Sequence, residues 1–217
     1  MTDALLLPGT LCDAALWSGV SLPAGTRVME TVRGASLTEA AALALTDSPA
    51  QVHLVGFSLG AVLMFEVLRQ APQRVARLTL ISANPHAPSS AQLDTWAGQE
   101  RQVRGGGFEA LAATLAPAGP QREQVLEMAL RVGPDIFLEQ LALLRSRPDS
   151  RPTLADYTGP LTLLVGQDDT VTPPRLAGEM QALAPQARLR VVPNAGHYLP
   201  LDAPQAVSEA LREPAYA

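Results

Sequence analysis

Apolar and polar positions follow two periods along this chain, and each change of period marks an element. Ala4 to Leu7 is a short continuous apolar run, the pattern of a strand buried on both faces, and it ends at Pro8-Gly9. A loop through Thr10, Leu11, Cys12 and Asp13 leads to a short turn or helix carrying Leu16 and Trp17. Arg27 to Thr31 reads as a second strand. Ser36-Leu37-Thr38-Glu39 then has the form of a capping box that opens a helix through about Thr46. Val52, Leu54 and Val55 repeat the buried-strand pattern, and from Leu59 to Gln70 the apolar residues fall at helical spacing instead. Arg77 to Ser82 alternates as a further strand. Strand and helix therefore succeed one another in the βαβ manner of a parallel sheet with right-handed crossovers.

From His86 to about Tyr157 the strand signals stop. Four helices are predicted there: Ala91 to Val103, Phe108 to Leu115, Arg122 to Val132 and Asp135 to Arg145. The breaks fall at Gly105-Gly106-Gly107, Pro117 to Pro120 and Gly133-Pro134. Their apolar residues, Trp96, Phe108, Phe137 and Leu141 among them, read mainly as a packed core of their own. Strands resume at Leu161 to Val165 and at Arg188 to Val192. A helix from Pro173 or Pro174 to about Leu183 lies between them, and another from about Pro204 to Arg212 closes the chain. The organisation expected is an α/β core formed by residues 1–85 and 157–217, with an all-helical lid, residues 86–156, inserted between two strands. Such an insertion sits above the carboxyl ends of the strands, where α/β sheets bind ligands.

Composition narrows the class. The 217 residues, 47% hydrophobic and 17% charged, suffice for one sizeable core. A net charge of −5 and the lack of a Lys/Arg cluster argue against nucleic acid or a membrane surface as partner, and favour a small neutral or amphipathic ligand. The single cysteine, Cys12, excludes an internal disulfide framework and fits a reducing compartment. Met-Thr-Asp-Ala has no basic segment and Ala4 to Leu7 is too short for a signal peptide or a span, so a cytoplasmic location is expected.

The candidate chemistry begins where the third strand becomes a helix within five residues, at Gly56-Phe57-Ser58-Leu59-Gly60. So sharp a reversal strains the central residue and pushes its side chain out of the turn, while flanking glycines let the helix fold back against the sheet. Ser58 is thus a candidate nucleophile, and the Leu59 N–H, unpaired in the first helical turn, is a candidate oxyanion donor. A dinucleotide fingerprint is set aside because its third glycine is missing. A serine hydroxyl needs a base. Of the three histidines, His53 lies inside the strand feeding the turn, and His86 lies at the entry to the helical segment. His197 follows the last strand, which brings it to the edge where Ser58 protrudes, and it is the base expected. Asp168 and Asp169 occupy the loop after the preceding strand; adjacent residues there point apart, and spacing from Gly166 favours Asp169 as the partner of the imidazole.

Nearly the whole chain resembles the α/β-hydrolase superfamily. VHLVGFSLG resembles its nucleophile elbow, LLVGQDDTVTPP its acid loop and VVPNAGHYLPLDAP its histidine loop. LLLPGTLCDAALW resembles the oxyanion loop, with Pro8 in place of the usual histidine and Gly9 and Trp17 in register; the resemblance assigns the second oxyanion N–H to Thr10. ETVRGAS resembles a further loop of the superfamily through Glu30 and Gly34, and Ala61 stands where a second glycine is frequent. The resemblance implies an α/β-hydrolase fold whose usual N-terminal hairpin is absent, leaving about six mostly parallel strands. A serine nucleophile excludes the dehalogenase and epoxide-hydrolase branches, which need aspartate at that position. What remains is a carboxylesterase on small or medium acyl esters, with a thioesterase, a carbon–carbon hydrolase or a cofactor-free lyase on the same three residues as alternatives. None of these implies a metal or an organic cofactor. A lyase would want inward-facing cations on the lid, for which Arg101, Arg104, Arg131 and Arg145 are available. A ligand receptor that uses the same pocket with little turnover is a further alternative.

Overall fold

The computed structural model describes residues 3–213, so Met1 and Thr2 of the N-terminal reading, and residues 214–217 of the expected core, lie outside the described residues. Among the described residues, six parallel strands form one sheet in the order β2-β1-β3-β4-β5-β6. They are β1 (Ala4–Leu7), β2 (Arg27–Val28), β3 (Val52–Phe57), β4 (Val75–Ile81), β5 (Leu161–Gly166) and β6 (Arg188–Val192). Every residue of β1, β3 and β5 is buried, including the polar His53 and Thr162, as strands covered on both faces require. Alternate residues feed opposite layers. Leu5 and Leu7 pack with α1 (Leu37–Leu45), α2 (Leu59–Gln70) and α7 (Pro174–Leu183), whereas Ala4 and Leu6 pack with Trp17 and with α9 (Pro204–Arg212).

Strand β2 is shorter than the expected Arg27 to Thr31. Its neighbour β1 has only four residues, and after Met29 donates to the Leu6 carbonyl (2.9 Å) the chain turns away, so that the Thr31 hydroxyl donates to the Cys12 carbonyl (3.0 Å).

Between β4 and β5 lie α3 (Ser90–Arg104), α4 (Phe108–Leu115), α5 (Arg122–Ser146) and a short α6 (Arg151–Ala155) that periodicity did not suggest. The two helices expected on either side of Gly133-Pro134 run together as α5, but Gly133 has φ 78° and ψ 172°, so the helix is broken there in its dihedrals. Proline supplies no N–H and glycine tolerates positive φ, which together make the kink. The apolar faces of α3 to α5 form a separate cluster through Val103, Phe108, Leu111, Val132, Phe137 and Leu141. One core residue, Leu11 of the loop after β1, joins it. Another short helix, α8 (Leu199–Asp202), follows β6. Among the described residues no helix is long and apolar enough to cross a membrane.

The strand order reverses direction between β1 and β3, so the loops leaving their carboxyl ends diverge and open a crevice between them.

Candidate active site

Ser58 stands in that crevice. It has φ 52° and ψ −111°, a conformation that L-residues avoid, and the neighbouring glycines explain why it can persist. A Cβ at Gly60 would lie 2.3 Å from the Leu7 carbonyl oxygen, and one at Gly56 would lie 2.6 Å from the Ala61 nitrogen. The turn therefore closes only without side chains at those positions. The Ser58 N–H donates to the Ile81 carbonyl (3.0 Å), tying the turn to β4.

Two further loops converge on the serine. His197 Nε2 lies 3.2 Å from Ser58 Oγ, and His197 Nδ1 lies 2.9 Å from Asp169 Oδ2. The acid and histidine loops touch closely, since a Cβ at Gly166 would meet the Ala195 carbonyl oxygen at 2.2 Å. Asp169 is only 2% exposed. Burial raises its pKa, but the His197 ring together with the Thr172 N–H and hydroxyl outweighs this and holds the carboxyl below its ordinary value. The Val171 N–H also donates to Asp169 Oδ1 (2.9 Å). With Oδ1 taken by two backbone donors, Oδ2 is left to face the imidazole. Phe57 packs beside His197 at 5.2 Å between ring centroids, and Tyr198 meets the same ring edge-on at 5.7 Å.

Thr10 and Leu59 line the same cavity as Ser58, and among the described residues neither N–H donates to a protein group. Asp168 is exposed, and among the described residues it is Asp169, not Asp168, whose carboxylate meets the imidazole. His53 is buried in β3 with Nε2 2.8 Å from the Thr79 hydroxyl, and His86 pairs with Glu179 (2.8 Å) outside the cavity. The four arginines weighed for a lyase do not line the cavity: Arg101 is exposed, Arg104 and Arg145 bind Glu100, and Arg131 binds Asp13 (2.7 Å). Among the described residues no group of three or more His, Cys, Asp or Glu could hold a metal ion.

Several residues at the site escape a reading of the sequence. Ser82, with φ 49°, donates its hydroxyl to the His197 carbonyl (3.1 Å) and so holds the histidine loop from β4. Gln140 of α5, wholly buried, accepts from the Leu11 N–H (2.9 Å) and donates to the Val32 carbonyl (2.9 Å) and the Thr31 hydroxyl (3.2 Å). Leu11 itself has φ 56°. A signal was present: Gln140 is a polar residue on the same helical face as Phe137, Leu141 and Leu144. Arg147, just after α5, also faces the cavity. The cavity measures about 260 Å³, with Val62, Phe137, Leu141 and Leu144 among its apolar walls.

The chain belongs to the alpha/beta hydrolase family, whose sequence model matches residues 6–210. Among individual relatives, the pimeloyl-acyl-carrier-protein methyl ester esterase of Photobacterium profundum is 29% identical over 195 residues, which cover 82% of this chain and 76% of that protein. The enzyme of the same name from Pectobacterium atrosepticum is 28% identical across 96% of this chain and 92% of its own. A thermophilic esterase from Thermogutta terrifontis superposes with a TM-score of 0.83 and 23% identity, covering 98% of this chain and 88% of that one.

Proposed function

We propose that this protein is a cytoplasmic serine hydrolase, a carboxylesterase acting on small or medium acyl esters through an acyl-enzyme. The observation that carries the reading is the unbroken relay from Asp169 through His197 to Ser58, at 2.9 and 3.2 Å. With its proton on Nδ1, facing Asp169, the neutral imidazole presents a lone pair at Nε2. That nitrogen takes the Ser58 proton as Oγ attacks the ester carbon, and Asp169 stabilises the imidazolium. Negative charge on the former carbonyl oxygen is received by the N–H groups of Thr10 and Leu59. His197 returns the proton to the departing alcohol. A water molecule then repeats the sequence on the acyl-enzyme, releasing the acid and restoring Ser58.

The helical segment 86–156 acts as the lid in this reading, since Trp96, Phe137 and Leu141 supply apolar wall to the cavity beside Ser58. The esterase relatives support the ester as substrate class. The cytoplasmic assignment rests on the lone cysteine, a buried free thiol.

The test is labelling with an organophosphonate, mapping of the adduct by mass spectrometry, and turnover of an ester panel of graded acyl length. An adduct on Ser58 with ester cleavage abolished in Ser58→Ala supports the assignment. Undiminished cleavage by Ser58→Ala overturns it, and labelling without any turnover transfers the site to a ligand receptor.

A further inference from the structure

Arg147 is 6% exposed, yet it lines the cavity that holds Ser58. Its Nε donates to the His86 carbonyl (2.9 Å), its Nη2 donates to Gln92 Oε1 (3.2 Å), and its guanidinium lies over the Trp96 ring at 5.3 Å. These contacts orient the group without neutralising it. No carboxylate among the described residues lies within ion-pair distance of it; Asp149 is engaged by Arg151, and Glu179 by His86 and Arg151. Burial lowers its pKa to about 10, which leaves it charged at neutral pH. An unpaired buried cation is costly, and a ligand anion would relieve that cost.

The surrounding donors fit the same occupant. Nη1 of Arg147 has no hydrogen-bond partner among the described residues. Gln92 Oε1 already accepts from the Ser89 N–H (3.1 Å) as well as from Arg147, which leaves its Nε2 donors unpaired. Gln99, seven residues along α3 and one helical face with Gln92 and Trp96, adds a second amide to the cavity wall.

We propose that this patch is a substrate subsite for a carboxylate, so that the enzyme prefers esters carrying a free carboxylate remote from the scissile bond. The inference rests on the serine-hydrolase reading and narrows its substrate class. Because the protein is net negative, at −5, general electrostatics oppose such a preference, and any that is found is local.

The test compares kcat/KM for monomethyl esters of straight-chain dicarboxylic acids of increasing length with that for methyl alkanoates of matching length, by methanol release. At the length that spans Ser58 and Arg147 the carboxylate ester is preferred by about ten- to a hundredfold, the span of one charge-assisted hydrogen bond. Arg147→Gln abolishes this ratio and Arg147→Lys retains part of it. A ratio taken within one preparation is unaffected by the fraction of a variant that folds. No preference at any length in the wild-type protein, which needs no variant to establish, overturns the subsite while leaving the hydrolase intact; so does a ratio unchanged in Arg147→Gln. If no ester is cleaved, the hydrolase reading falls, and this inference with it.

Discussion

Leu11 and Gln140, 129 positions apart, are joined by a buried hydrogen bond of 2.9 Å from the backbone N–H of one to the side-chain oxygen of the other. Leu11 follows Thr10, so a residue of α5 fixes the loop that presents a candidate oxyanion donor. Gln140→Leu strands the Leu11 N–H and the Val32 carbonyl, with an expected stability loss of about 1–3 kcal/mol. The larger effect is on positioning. We expect kcat to fall about ten- to a hundredfold with a smaller change in KM, measured on a short-chain ester alongside a urea melt.

Asp169 sets the tautomer of His197. In Asp169→Asn the amide can donate to Nδ1, which moves the imidazole proton to Nε2 and leaves no lone pair for the Ser58 hydroxyl. Activity should drop by about 10⁴-fold with the fold preserved, measured by initial rates and circular dichroism. Thr172→Val, which removes one hydroxyl from Oδ2, should cost far less.

Acid should destabilise the protein in a window set by His53. Burial, reinforced by Arg77, lowers its pKa from 6.5 to about 3, so the folded protein resists a proton that the unfolded chain takes up. The unfolded state then binds more protons between those values, and stability falls as pH drops from 6.5 toward 3. Above 6.5 the contribution is fully present. Asp169, held below the ordinary value of 3.8, adds a further loss that begins as pH falls through 3.8, within the acid end of that window, and continues below it. Urea unfolding at a series of pH values should show the first slope, and His53→Gln, which keeps a partner for Thr79 but cannot titrate, should flatten it.

Cys12 should be inert in the native protein. It is fully buried, and burial pushes its thiol pKa up to about 12. Alkylation by iodoacetamide near pH 8 should proceed only after denaturant is added, as intact-mass measurement would show.

What could be read from the sequence divides by range. That Ser58, Asp169 and His197 meet was legible because each follows a strand, and a parallel sheet brings such ends to one edge. The break at Gly133 was equally visible as a Gly-Pro pair, with a helix on either side of it. Gln140 stood out as a polar residue on an apolar helical face, but its partner 129 positions away did not, and Arg147 and Ser82 were not legible because their partners lie 61 and 115 positions away. Strand β2 was overread for a related reason. Its apolar pattern continues past Val28, but the length of its neighbour β1 decides where pairing stops.

The pairing of Leu7 with Gly56 has a bearing on how this protein can be altered. Two residues beyond that pair, a Cβ at Gly9 would already be 3.1 Å from Ser58 Cβ. The ladder of β1 and β3 therefore acts as a ruler for the chemistry, with no slack between the last matched rung and the reacting groups. Surface loops elsewhere tolerate added length, whereas one residue inserted between Leu7 and Thr10, or between Gly56 and Leu59, would carry the reacting groups out of that register.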